Sequence, residues 1–180
     1  MQRSTPVALA ALVALLAFGA SRVDAQHAQA RSGFWFNAGL GVGSLGCDGC
    51  DDRVNALSGN LSLGGTISPR FLLGGGTTGW SKSEDGATLT VGTVDARVRF
   101  YPSVSGGFFL TGGLGIGTVR ASISGFGSET ETGVGALFGL GYDFRVGQNL
   151  SITPYWNGFA VSSSNADANV GQIGVGITAH

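Results

Sequence analysis

Charge is what this chain is short of. Only 12% of its 180 residues are Asp, Glu, Lys or Arg, about half of what a soluble domain usually carries. There is a single lysine, Lys82. A net charge of −1 argues against nucleic acid as the main partner. Histidine is almost missing: His27 and His180 are the two, both near chain ends. Beyond residue 25 there is no apolar run of the roughly 20 residues that a membrane helix needs, and no helical period. What remains is 43% hydrophobic residues, a mean hydropathy of +0.25 and 33 glycines. Such a chain is too greasy for an ordinary soluble surface and has no helix with which to cross a bilayer.

The N-terminus has the order of an export signal. Arg3 supplies the positive start, "VALAALVALLAF" (7–18) the apolar core, and "VDA" ending at Ala25 the small-residue cleavage site. The apolar run is too short for a spanning anchor. The chain divides on this reading into a cleaved signal peptide (1–25), a short N-terminal segment (26–32) and one domain (33–180).

From residue 33 onward the hydrophobic period is two, the signature of strands. In "FWFNAGLGVGSL", Phe34, Phe36, Ala38, Leu40 and Val42 share one face, and Trp35, Asn37, Gly39, Gly41 and Gly43 the other. The same division runs through 57–67, 108–119, 133–145 and 172–179. Segments 71–80, 89–101 and 150–161 complete eight strands. The pattern slips phase near Gly92, which predicts a bulge. Pro154 cannot donate to a ladder, which predicts an irregularity there. Short connections (68–70, 102–106, 146–149) alternate with longer polar ones (46–53, 81–88, 120–132, 162–169). That order belongs to an eight-stranded antiparallel up-and-down barrel whose two ends face different compartments. Acidic residues gather in the long loops. Aromatic residues, Tyr101 among them, gather near the short turns, with Trp80 and Trp156 assigned to the opposite rim; alternation over 94–101 puts Tyr101 on the same face as Asp95, Arg97 and Arg99.

Alternation alone does not say which face is outside. A soluble ligand-carrying barrel lines its interior with the apolar face; a membrane barrel turns that face to lipid. Here the second face is Gly, Ser, Thr and Asn rather than Lys and Glu, which suits the narrow interior of eight strands and favours the membrane. With its "GLGVG", "GGLGIG" and "GLGYDF" runs and glycine-rich final strand "GVGITAH", the chain resembles the small bacterial outer-membrane β-barrels of the OmpA-transmembrane/OmpX type. The resemblance implies an all-β transmembrane barrel in the bacterial outer membrane, in contact with outer-membrane lipid and lipopolysaccharide. One departure stands out: such barrels usually end in an aromatic residue, and this chain ends in His180.

Several local patterns invite chemistry. "CDGC" (47–50) can be a redox pair, half a zinc site or a short disulfide. Zinc needs further ligands and a thioredoxin-type centre a helix N-terminus, so Cys47 and Cys50 are read as a loop disulfide, with cation binding by Asp48, Asp51 and Asp52 as a lesser alternative. Two Gly-x-Gly-x-x-Gly matches open no helix and are discounted. Asp95, Arg97, Arg99, Asp143 and Arg145 fall on the inward face, as a paired network that plugs the lumen or as a gate. Enzymatic barrels of similar size are expected to use a histidine with a serine nearby; no histidine falls at a strand top, so a general base is missing. The function expected is therefore non-enzymatic and without cofactor: envelope integrity, adhesion or docking of a surface or envelope protein through acidic outer loops. The alternatives are a soluble periplasmic or secreted barrel for an apolar ligand, and a narrow pore.

Overall fold

The computed structural model describes residues 31–47, 52–164 and 167–180. The expected signal peptide and Cys50, with Asp48 and Asp51, lie outside them.

The strands follow from the alternation. They are β1 (Phe34–Cys47), β2 (Val54–Ser68), β3 (Phe71–Glu84), β4 (Ala87–Phe100), β5 (Phe108–Ile123), β6 (Gly127–Tyr142), β7 (Phe144–Arg145), β8 (Leu150–Ser162) and β9 (Asp167–Ala179). The two-residue β7 continues β6 along the same neighbour, β8. Eight staves result, each antiparallel to the next. β1 pairs with β9 and β6 with β8, so the sheet closes on itself and leaves no free edge. Closure satisfies every ladder without water, which is what a bilayer demands of a spanning sheet. No helix among the described residues is long and apolar enough to cross a membrane.

The period of two sorts the faces as expected. Leu40, Leu114, Leu140 and Val175 point outward, with exposures of 68%, 69%, 39% and 57%. Trp35, Asn37, Ser58, Ser62, Asp95, Arg97 and Asn157 point inward and are buried. Leaving so much apolar surface in water would be strongly unfavourable, at roughly 25 cal/mol per Å²; in hydrocarbon it costs nothing. A ring of Phe34, Phe71, Phe108, Tyr142 and Phe144 stands on the outer face at the short-turn end, the interface position favoured by aromatic side chains.

Of four local expectations, three are corrected and one, at Pro154, is met. First, β4 has no bulge at Gly92: its register runs unbroken from Ala87 opposite Ile123 to Phe100 opposite Leu110. The hydrophobic phase slips because the inward positions themselves turn apolar, at Leu89 and Val91, while the backbone continues. The bulge lies instead in β2, between Thr66 and Ser68. Second, the irregularity expected at Pro154 is present, as a lapse in pairing with the strand opposite. β8 runs through Pro154 in register with Val175, and the opposite strand breaks between Tyr142 and Phe144. Third, residues 81–88 and 120–132 are strand for most of their length. β3 and β4 turn at Asp85–Gly86, where both φ angles are positive (49° and 79°), and β5 and β6 turn over 124–126. Fourth, Tyr101 and Trp80 are not rim residues. Both point into the lumen and are fully buried; Trp156 lies on the outer face midway along β8.

Candidate functional site

The lumen has two halves of opposite chemistry. Toward the short turns it is polar. Asp95 and Arg97, two residues apart on β4, share the inward face and meet side-on: Arg97 Nε donates to Asp95 Oδ1 and Nη2 to Oδ2, both at 2.8 Å. Arg97 Nη2 also donates to Thr78 Oγ1 at 3.0 Å. The glycines facing this pair make room for it. A Cβ at Gly76 would come within 2.7 Å of Arg97 Cζ, and one at Gly113 within 2.5 Å of Asp95 Oδ1. This is why one face of a strand is stripped of side chains: the space belongs to long residues reaching across from other staves.

Arg99 lies over the rings of Phe109 and Trp35, its Cζ 4.1 Å and 5.0 Å from their centroids. Ring faces stabilise a guanidinium that has left water. Asp143 accepts from Tyr101 Oη and Thr153 Oγ1, each at 2.7 Å, and faces His180 Nε2 at 3.6 Å. Thr153 meets Thr178 at 2.7 Å, and Asn37 Nδ2 donates to Thr178 at 2.9 Å. Arg31 closes this end, its Cζ 3.5 Å above the Tyr101 ring while it donates to the carbonyl oxygens of Val104 and Gly106. The structure thus brings Asp95 to Arg97, and Asp143 to Tyr101. Arg145 stands apart, donating to the carbonyls of Gly147 and Gln148 in its own turn.

Toward the hairpins the lumen is apolar. Leu45, Trp80, Val91, Leu137, Phe159 and Val161 form a buried cluster with Ala168 and Val170. Trp80 Nε1 donates to the Gly43 carbonyl at 2.9 Å, and a Cβ at Gly43 would lie 2.7 Å from Trp80 Cδ1. Within the polar half, among Asn37, Asn60, Arg97 and Tyr155, sits a cavity of about 10 Å³, room for no more than one water. Above the cluster, the inner faces of the hairpins enclose an open cup of about 370 Å³. At the cup's rim Lys82 and Glu84 form an exposed ion pair at 2.7 Å. The hydrogen bond from Lys82, then its charge, holds the Glu84 carboxyl below the usual carboxylate range.

Sequence reasoning puts Asp95, Arg97, Arg99 and Tyr101 on one face and Asp143 on the inward face, but does not reach the other partners: His180 ends the last segment, and Arg31 precedes the first strand. His180 was set aside as a chain terminus, yet its side chain is buried in the lumen. The apolar half carried a signal, the phase slip at Leu89 and Val91. Cys47 ends β1, and its pairing with Cys50 lies outside the described residues. Asp52 is exposed. Among the described residues no three His, Cys, Asp or Glu side chains are grouped to hold a metal.

A family model described as outer membrane protein beta-barrel domain matches residues 10–180. Two solved structures are similar in fold. Ail, the attachment invasion locus protein of Yersinia pestis, aligns with 16% identity and a TM-score of 0.63, over 83% of this chain and 99% of that one. Neisserial surface protein A aligns with 17% identity and a TM-score of 0.62, over 82% and 97%. Ail was also solved in complex with the heparin analogue sucrose octasulfate, and that structure aligns with 18% identity and a TM-score of 0.60, over 83% and 99%. No curated protein sequence matches the chain.

Proposed function

From the premise that the chain belongs to the outer membrane protein beta-barrel family, and so resides in the bacterial outer membrane, we propose that it is a non-enzymatic barrel that serves envelope structure and surface interaction. The observation that carries this reading is the seal. Among the described residues, side chains occupy the lumen from Arg31 to Trp80, and the cavity beside Arg97 is about 10 Å³. A plugged barrel stiffens the membrane and displays its hairpins; it does not conduct. The inward charges act as part of that plug.

Orientation follows from connection length. Both ends of the described barrel and the short turns share one end, the periplasmic side in such barrels, and the long hairpins face outward. The outward end carries Asp52, Glu84, Asp85, Glu129, Glu131 and Asp167 against Arg53, Lys82 and Arg120. An acidic rim repels a sulfated polysaccharide, so a ligand like that of the Ail complex is disfavoured, and a basic or neutral surface or envelope protein is the partner that fits. Outer-membrane lipid and lipopolysaccharide meet the apolar outer face.

Planar-bilayer recording tests the reading. The wild-type protein is expected to insert and show no steady conductance; stable ohmic steps would favour a narrow pore instead. Replacing Glu84, Glu129 and Glu131 by glutamine is expected to leave insertion unchanged and weaken attachment of expressing cells to basic surfaces. Undiminished attachment would remove the acidic rim from the account.

A further inference from the structure

We propose that the outward-facing cup is a binding site for a small, uncharged, apolar molecule arriving from the outside medium. The proposal rests on the outward orientation of the hairpins and goes beyond the structural role of the barrel.

Within the membrane, apolar residues point out and polar ones in. Along the upper parts of β3, β4 and β5 the order reverses. Outward stand Ser81, Ser83, Thr88 and Thr90, and their hydroxyls pair across the hairpin, Ser81 with Thr90 at 3.1 Å and Ser83 with Thr88 at 2.8 Å. That outer face suits water. Inward, lining the cup, stand Leu89, Ala121 and Ile123 above the covered Trp80, joined by Val54 from β2, with Thr88 and Ser122 reaching its edge. Polar out and apolar in is the arrangement of a soluble barrel that holds a greasy ligand, and here it occupies only the part of the wall that projects beyond the bilayer. A hairpin selected only for solubility has no need of an apolar inner face.

Three features define the ligand. The volume, about 370 Å³, lies within the roughly 300–1,000 Å³ of small-molecule sites and is too small for a folded segment of another protein. Trp80, covered just beneath the floor, has its only polar hydrogen committed to the Gly43 carbonyl, so the floor offers no donor. The charged residues lining the cup itself are Lys82 and Glu84, already paired with each other, so the lining offers no unpaired charge to an ion, whatever the acidic residues of the surrounding rim. Beneath the floor the apolar cluster is buried and packed, so the molecule binds without passing through.

The test uses the full chain reconstituted in lipid vesicles, with Trp35 and Trp156 replaced by phenylalanine so that Trp80 alone emits. The probe is 3-bromobenzyl alcohol, a small neutral quencher that dissolves in water. The proposal expects saturable quenching at one site per chain. In Ala121→Phe, which fills the cup, and Leu89→Ser, which makes its wall polar, affinity is expected to fall about tenfold or more. The anion 3-bromobenzoate and the cation 3-bromobenzylamine are expected to bind about tenfold more weakly than the alcohol. Quenching that rises without saturation would assign the effect to bilayer partition and overturn the site, as would equal affinity in both cup variants or a preference for either ion. If the double tryptophan replacement does not fold, the same titration is read on the wild-type chain, where Ala121→Phe alone must remove the saturable component.

Discussion

At the scale of single residues the lumen is an exchange of space between staves. Where one strand carries glycine, a side chain from another fills the gap: Trp80 at Gly43, Arg97 at Gly76, Asp95 at Gly113 and Val161 at Gly117. An inward Gly43→Ala change is therefore expected to overpack the interior and cost about 1–3 kcal/mol. Gly171→Ala, on the outer face with no atom within 4 Å of the new Cβ, is expected to be neutral or slightly stabilising. Urea unfolding from lipid vesicles checks both, and equal losses at the two positions would contradict the exchange. The buried ion pair behaves differently from a surface pair. Asp95→Ala leaves Arg97 charged in a dry interior and is expected to cost about 3–5 kcal/mol. Removing both partners, as Asp95→Leu with Arg97→Met, is expected to cost clearly less in the same measurement, because no orphaned charge remains.

At the scale of elements, the hairpins beyond the membrane are where sequence reading went furthest astray. Acidic and small residues over 81–88 read as a loop, but "EDGA" held the signal of a tight hairpin: Asp-Gly is favoured where both turn residues need positive φ. Gly86→Val is expected to strain that turn by about 1–2 kcal/mol and loosen the tip, seen as faster amide exchange from Ser83 to Thr88 with exchange in the membrane-spanning ladders unchanged. Faster exchange throughout the barrel would mean that the hairpin is part of the cooperative unit. The eight staves, their alternation and the outward face of Leu40 and Leu140 were legible, because a period of two survives wherever one face is uniform. What was not legible depended on which way the uniform face turned. At Leu89 and Val91 the apolar side moved inward and looked like a shifted backbone. Arg31 precedes the first strand and His180 follows the last, and only the three-dimensional closure of the barrel decides where those side chains go.

At the scale of the molecule, one wall serves three environments in sequence: a polar, hydrogen-bonded plug at the short-turn end, an apolar plug above it, and a cup open to the outside. The outer surface is apolar across the membrane and turns to Ser and Thr where the hairpins emerge. All of this depends on the apolar outer face lying against hydrocarbon. The most direct measurement places single tryptophans against lipid. Chains retaining only Trp156, only Trp80 or only Trp35 are reconstituted in vesicles whose acyl chains carry bromine, a contact quencher. The account expects Trp156, on the outer face, to be quenched strongly, and Trp80 and Trp35, inside the barrel, to be quenched weakly. Strong quenching of Trp80 and Trp35 with Trp156 spared would put the apolar face inside and contradict the account.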